Sequence, residues 1–111
     1  MAQYELPDSK REGGAYAYEA ITVSTTAIGI TATVVDPGEA TNASEGPAGT
    51  AFLTVETNSI RFTLDGTTPE AAVGHLLAAG DSLIIRGLQN IRNLRMIRAT
   101  ADASVKVTVF R

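Results

Sequence analysis

Apolar and polar residues alternate along much of the chain with the period of two that is typical of a β-strand. The clearest case is the segment 105–110, in which valines occupy the odd positions while Lys106, Thr108 and Phe110 occupy the even ones. Because successive side chains of a strand point to opposite faces, this pattern predicts a strand that turns its valines toward a core.

Six further segments combine β-branched, aromatic or alternating apolar residues and are predicted to be strands. They are residues 16–23, 28–34, 50–56, 60–64, 81–86 and 94–99. In the segment 28–34 every even position is apolar. The glycine within it, Gly29, marks either a bulge or a close approach of two backbones.

The strands 50–56 and 60–64 are separated by a short polar turn, Thr57-Asn58-Ser59. A connection of this length typically closes a β-hairpin, so we predict that these two strands pair directly. The next stretch, Asp65 to Pro69, breaks the second strand, because proline cannot donate a ladder hydrogen bond and Asp65 is suited to form the turn.

Three other stretches are predicted to connect strands. Residues 36–49 are rich in proline, glycine, asparagine and serine, and predict a long surface loop. Loops of this length are uncommon in compact domains, which makes this loop a leading candidate for contact with a partner. Residues 70–77 predict a short helical or irregular segment, and residues 87–90 predict a further connection.

Seven or eight short strands without a long helix predict an all-β fold, an antiparallel β-sandwich or jelly-roll-like barrel. Residues 1–15 contain little to bury and predict a flexible N-terminal arm, while residues 16–111 predict a single β-sandwich domain. On a symmetric assembly, such an arm could become ordered on a neighbouring subunit.

The composition limits the chemistry of the chain. None of the 111 residues is cysteine, which excludes disulfides, thiolate zinc sites and cysteine nucleophiles. We also expect no signal peptide and no membrane span, because the N-terminal sequence lacks a basic start followed by an apolar run and no apolar stretch is long enough.

Charge is distributed unevenly along the sequence. The net charge is −3, but residues 36–81 hold seven acids against Arg61 alone, whereas residues 82–111 hold six bases against one acid. Such polarity suits self-association or docking on an oppositely charged partner. The alternative, which is the more common arrangement in a small β domain, is that the two signs interleave across neighbouring strands. The candidate partner-binding residues are Lys10, Arg11, Arg86, Arg92, Arg95, Arg98, Asp36, Glu39 and Glu45.

No motif in the sequence predicts catalysis, a cofactor or a metal site. The single histidine, His75, is not accompanied by a nucleophile motif such as Gly-x-Ser-x-Gly. The carboxylates with the best placement lack the spacing of a calcium loop or of a glycoside hydrolase pair. They are Asp36, Glu39, Asp65, Glu70 and Asp81. We also expect no nucleic-acid binding. The chain is acidic overall, and with 5% aromatic residues it has few rings on which nucleobases could stack.

Several segments nevertheless carry a family resemblance. They are residues 20–24, 51–57, 60–69, 74–83 and 93–98, followed by the valine-rich strand. Across roughly the last four-fifths of its length, the chain resembles small β-rich structural proteins of tailed bacteriophage particles. The resemblance implies a non-enzymatic protein of the virion, assembled in the cytoplasm of the host bacterium. It also implies a major capsid or other virion protein as partner, with the chain acting as a homo-oligomer or in symmetric copies. Within that class, we expect a capsid decoration or cement protein that stabilises the shell.

The run from Ile60 to Pro69 also resembles a strand and turn of fibronectin-III-like accessory modules attached to chitobiase-type enzymes. This second resemblance implies the alternative function, a glycan-binding or accessory module of a phage appendage or carbohydrate-active system. Glycan-binding faces typically present exposed aromatic rings, which this chain has in small number.

Overall fold

The computed structural model describes residues 14–36 and 47–111, which form two packed antiparallel sheets and two short helices. The elements are β1 (Ala15–Val23), α1 (Ala32–Val35), β2 (Thr50–Glu56), β3 (Ile60–Thr63), β4 (His75–Leu77), β5 (Ser82–Arg86), α2 (Leu88–Asn93), β6 (Arg95–Arg98) and β7 (Ala103–Phe110). The predicted all-β class is confirmed. The first 13 residues of the predicted arm, and most of the predicted loop 36–49, lie outside the described residues.

One sheet has four strands in the order β1-β7-β2-β5, and the other has three in the order β4-β3-β6. Every strand pair within both sheets is antiparallel. The chain changes sheet between β2 and β3, between β4 and β5, and again on each side of β6. Consecutive strands therefore often belong to different sheets and do not pair with each other.

Strand β7 lies inside the four-stranded sheet, between β1 and β2. Its valines at 105, 107 and 109 are at most 1% exposed, while the residues between them are half-buried. The predicted strand and its inward face are confirmed. The core that surrounds these valines consists of Ile21, Val23, Val35, Ala48, Ala51, Leu53, Val55, Ile60, Phe62, Ile85, Ile91, Leu94, Met96 and Ala103.

The predicted hairpin of residues 50–64 is wrong. The first strand, β2, pairs with β7 and β5, whereas the second, β3, pairs with β4 and β6 in the opposite sheet. Thr57 takes a positive φ of 73° in the connection between them. A short polar turn can thus connect strands of two different sheets. The alternating pattern of a strand determines which side chains face the core, but it does not determine which strand it pairs with.

The predicted strand 28–34 is also wrong beyond its first residue. Ile28 forms an isolated bridge with Met96, through N–H···O bonds of 2.9 and 2.7 Å. The amides of Val34 and Val35 then both donate to the carbonyl of Thr31, which closes a helical turn. The backbone groups of this segment are satisfied by Met96, by the Glu19 carboxylate and by the turn at Thr31 rather than by a strand ladder, so the alternating apolar residues do not require a strand.

Two predicted connections also contain regular structure. Within residues 70–77, Glu70 and Val73 exchange backbone hydrogen bonds in a turn, and the chain then enters the short strand β4. The predicted connection 87–90 is instead the start of α2. The predicted strands 81–86 and 94–99 are confirmed as β5 and β6, with boundaries one residue shorter at some ends. None of the helices in the described part of the chain is both long and apolar enough to cross a membrane.

Gly29 marks a close approach of two backbones, one of the two explanations that the sequence offered. A Cβ at this position would lie 2.5 Å from the carbonyl oxygen of Leu94 and 3.0 Å from Nη1 of Arg95. The segment after β1 can therefore pass over the start of β6 only with a glycine at this point.

We predict that Gly29→Ala lowers the free energy of unfolding by about 1–3 kcal/mol, because the added methyl must displace backbone atoms. The measurement is urea denaturation followed by circular dichroism. Gly14→Ala is the matched control: a Cβ there meets nothing within 4 Å, so the change should stay within about 0.5 kcal/mol. Equal effects of the two substitutions would contradict the close approach.

Candidate interaction groove

A surface groove runs between the two short helices, which pack against each other. Its volume is about 390 Å³. Its lining residues are Ile30, Ala32, Val35, Asp36, Arg92 and Arg95. We refer to it as the α1–α2 groove. Apolar side chains from the segment after β1 meet charged side chains from α1's end, α2 and the start of β6.

The rim of the groove is formed by an ion pair between residues that are far apart in the sequence. Nη2 of Arg92 lies 2.9 Å from Oδ2 of Asp36, and the two side chains are 47% and 38% exposed. A pair this exposed contributes at most about 1 kcal/mol to stability. Either Arg92 or Asp36 can therefore leave this ion pair and bind a charged group of a ligand at little energetic cost.

Arg95 brings a second guanidinium to the groove. Its Nη1 donates to the carbonyl oxygens of Arg92 at 3.0 Å and Leu94 at 2.7 Å, which holds the side chain in place. Its Nε and Nη2 have no hydrogen-bond partner among the described residues. The groove thus presents donors in a fixed orientation, the arrangement with which arginine binds a carboxylate or phosphate.

Strand β1 positions the α1 side of the groove through two polar side chains. The hydroxyl of Tyr16 lies 2.8 and 3.0 Å from the carbonyl oxygens of Val34 and Val35 and donates to them. The carboxylate of Glu19 accepts hydrogen bonds from the amide nitrogen of Thr31, at 3.0 Å, and from the Thr31 hydroxyl. Both ends of the short helix are therefore tied to the same strand.

The environment of Tyr16 keeps its hydroxyl protonated. Burial raises the pKa of Tyr16 above its ordinary value. The positive charge of nearby Arg111 partly opposes this rise, and the negative charge of Asp36 adds to it. The guanidinium carbon of Arg111 lies 3.6 Å from the ring centroid, in a cation–π contact. The hydroxyl is consequently available as a donor throughout the physiological pH range.

The predicted partner-binding residues are only partly brought together. Asp36, Arg92 and Arg95 meet in the groove. Arg98 is instead paired with Asp102, at 2.7 Å, on the connection to β7. The remaining predicted residue within the described ranges, Arg86, ends β5 beside Thr50.

Four of the predicted residues, Lys10, Arg11, Glu39 and Glu45, lie outside the described residues. The apolar lining of the groove, Ile30, Ala32 and Val35, was not predicted as part of a site. The reason is that Ile30 and Ala32 lie within the segment 28–34, which was predicted to be a strand, and Val35 directly follows it. The signal that could have identified them is Gly29, which breaks the strand pattern.

His75 lies at a second hollow, of about 520 Å³, at the end of the three-stranded sheet. This hollow is lined by Thr63, Leu64, Asp65, Thr67, Gly74, His75 and Asn90. The imidazole packs against the ring of Phe62, with centroids 5.4 Å apart. Within residues 14–36 and 47–111, no group of three or more His, Asp or Glu side chains is arranged to hold a metal ion.

Asp65 forms the turn that the sequence predicts. Its Oδ1 accepts a hydrogen bond of 3.0 Å from the amide of Thr67. Hydrogen bonds from the Thr67 side chain and then from its backbone lower the pKa of the Asp65 carboxyl. Two other candidate carboxylates also lie in turns: Asp81 accepts from the amide of Ala78 at 3.2 Å, and Glu70 lies in the turn before β4.

Comparison of the chain with known protein families, with curated proteins and with solved structures finds no match. The fold and the groove must therefore be interpreted from their own geometry.

We predict that Tyr16→Phe lowers the free energy of unfolding by about 1 kcal/mol, because the carbonyl oxygens of Val34 and Val35 lose their donor. Tyr18→Phe is the matched control on the same strand, since the Tyr18 side chain is 62% exposed. Chemical denaturation measures both variants. A control that loses as much stability as Tyr16→Phe would show that the hydroxyl does not anchor α1.

We predict that the carboxyl of Asp65 titrates below its ordinary pKa, as measured by carbon-13 NMR of the side chain. A depressed pKa in the folded state means that ionised Asp65 stabilises the turn at neutral pH, and that this contribution is lost as the pH falls through the folded-state pKa. Thr67→Val removes the hydroxyl donor and should move the pKa back up. The control Thr54→Val, on β2, should leave the titration unchanged.

Proposed function

We propose that this chain is a non-enzymatic structural protein of a tailed phage particle, which binds the shell as a capsid decoration or cement protein. The observation that supports a binding role is the α1–α2 groove, where Asp36 and two arginines from distant parts of the sequence surround an apolar lining. The family resemblance of residues 18–111 is what favours the virion as the setting.

The groove has the composition of a site for another protein. Interfaces are enriched in arginine, whose apolar stem packs while its planar head binds carboxylates. In the groove, Ile30 and Ala32 supply the accessible apolar surface and Arg95 supplies unpaired donors. A partner's aspartate or glutamate could bind Arg95 and compete with Asp36 for Arg92, while a neighbouring apolar side chain fills the groove.

A single contact of this kind is weak, but a symmetric particle offers the same contact many times. A small domain bound in many copies, or as a homo-oligomer that spans several shell subunits, gains avidity from simultaneous contacts. The two-layered sandwich suits this role because its interior is filled with packed side chains and it therefore transmits force between contact points.

The alternative function, a glycan-binding or accessory module, is favoured by one observation. Tyr18 of β1 is 62% exposed on the outer face of the four-stranded sheet, opposite Thr108 of β7. An exposed aromatic ring beside a hydroxyl is an arrangement that can stack on a sugar and hydrogen-bond to it.

The proposal is tested by mixing the purified protein with shells assembled from the major capsid protein of its phage. We expect saturable binding at a symmetric copy number, seen by cryo-electron microscopy, and a shell that resists higher temperature. Arg92→Gln and Arg95→Lys should each weaken binding at least tenfold, since glutamine lacks the positive charge and lysine lacks the planar fork that binds a carboxylate through two hydrogen bonds. The control Lys106→Gln, on the outer face of β7, should bind normally.

A different outcome would overturn the virion proposal. A protein that does not bind shells, but binds a defined glycan on an array and loses this binding in Tyr18→Ala, would establish the accessory-module alternative. Circular dichroism of each variant confirms that the substitution leaves the fold intact.

A further inference from the structure

The outer face of the three-stranded sheet carries a row of three side chains at one level. Arg61 of β3 is paired with Leu76 of β4 on one side and with Ile97 of β6 on the other. The alternate residues of these strands, Phe62 and Met96 among them, are buried in the core. Arg61, Leu76 and Ile97 therefore share the face that points away from the core. We name it the Arg61 row.

The row is apolar on both sides of its one charge. Leu76 is 55% exposed, and Val73, in the turn before β4, is 38% exposed. Ile97 is half-buried on the other side. Single exposed apolar residues are ordinary on protein surfaces. An arginine between apolar side chains, however, combines a residue type that is enriched at interfaces with the apolar character of an interface core.

Arg61 is incompletely satisfied by its own chain. Its Nε is buried and has no hydrogen-bond partner. Its Nη1 reaches the carbonyl oxygen of Gly74 only at 3.4 Å, a long hydrogen bond. No carboxylate among residues 14–36 and 47–111 lies within ion-pair distance of this guanidinium. A buried donor without an acceptor is costly, and each such group in a native structure calls for an explanation.

We propose that the Arg61 row is a second protein-docking surface, whose occupant is a partner segment presenting a carboxylate between two apolar side chains. We choose a carboxylate because its negative charge complements the incompletely satisfied guanidinium of Arg61. The carboxylate binds Nη2 of Arg61 and, once the weakly held guanidinium turns, its Nε as well. The flanking apolar side chains of the partner cover Leu76 and Ile97 and exclude water from the charge pair, which strengthens it.

The row neighbours the α1–α2 groove, because Ile97 lies two residues after Arg95 on the same face of β6. Its test does not depend on the virion proposal. An arginine that is the sole base among residues 36–81 lies in the middle of an otherwise apolar row, so the position of the partner's carboxylate is specified. The partner is a protein rather than a nucleic acid, because one cation flanked by aliphatic side chains offers neither a series of phosphate contacts nor a stacking surface.

The experiment titrates the full chain, labelled with nitrogen-15 and carbon-13, with a defined peptide, acetyl-Thr-Val-Glu-Val-Thr-amide, and with a twin that has glutamine at the centre. We expect the Nε–Hε signal of Arg61 and the methyl signals of Leu76 and Ile97 to shift saturably with the glutamate peptide. The dissociation constant should be about 1 mM or lower, and the glutamine twin should bind at least tenfold more weakly.

Two variants and one control complete the test. Arg61→Gln should abolish the preference for glutamate over glutamine, and Leu76→Ser, at a position 55% exposed, should weaken both peptides without unfolding the protein. Lys106→Gln removes a cation from the outer face of the opposite sheet and should change nothing.

Three outcomes would overturn the proposal. The first is the absence of any shift at Arg61, and the second is equal binding of the two peptides. The third is a concentration-dependent shift of the same signals without peptide, together with a dimer in sedimentation, which would identify a second copy of this chain as the occupant.

Discussion

The structure depends on the burial of one strand between two others. The valines of β7 are almost completely removed from water, and the strand is paired along its length with β1 on one side and β2 on the other. Each buried valine contributes about 1.5–3 kcal/mol of hydrophobic free energy. With β7 in place, β1 is fixed, and β1 in turn holds α1 through Tyr16 and Glu19. The geometry of the α1–α2 groove therefore follows from the packing of the central strand.

The sequence predicts the layers of this fold better than it predicts the connections. The alternation in β7 identified both the strand and its inward face, because a period of two has a direct meaning in a pleated strand. The turn at residues 57–59 did not reveal that β2 and β3 belong to different sheets. Which strands pair is decided by the packing of the whole core, and a polar turn of three residues is compatible with either result.

The sequence predicted the charged residues of the groove as partner-binding residues, but it did not predict the apolar residues that line it. Asp36, Arg92 and Arg95 were selected because their charges are asymmetrically placed in the sequence, and the fold brings them together. The segment containing Ile30 was interpreted as a strand because its even positions are apolar. In the structure, backbone hydrogen bonds to Glu19 and within the turn at Thr31 replace the strand's ladder, and no local pattern in the sequence indicates these long-range partners.

One feature of the segment after β1 bears on how many copies can sit close together. Residues Ser24 and Ile28 hydrogen-bond to Arg98 and Met96, so the edge of β6 is covered by the chain's own backbone. The opposite edge of that sheet is β4, which has three residues. Uncovered strand edges are templates for pairing with another chain, and short or covered edges discourage it. The three-stranded sheet is therefore protected at both of its edges against continuous pairing with the sheet of a neighbouring molecule, so crowding does not extend it into a fibril.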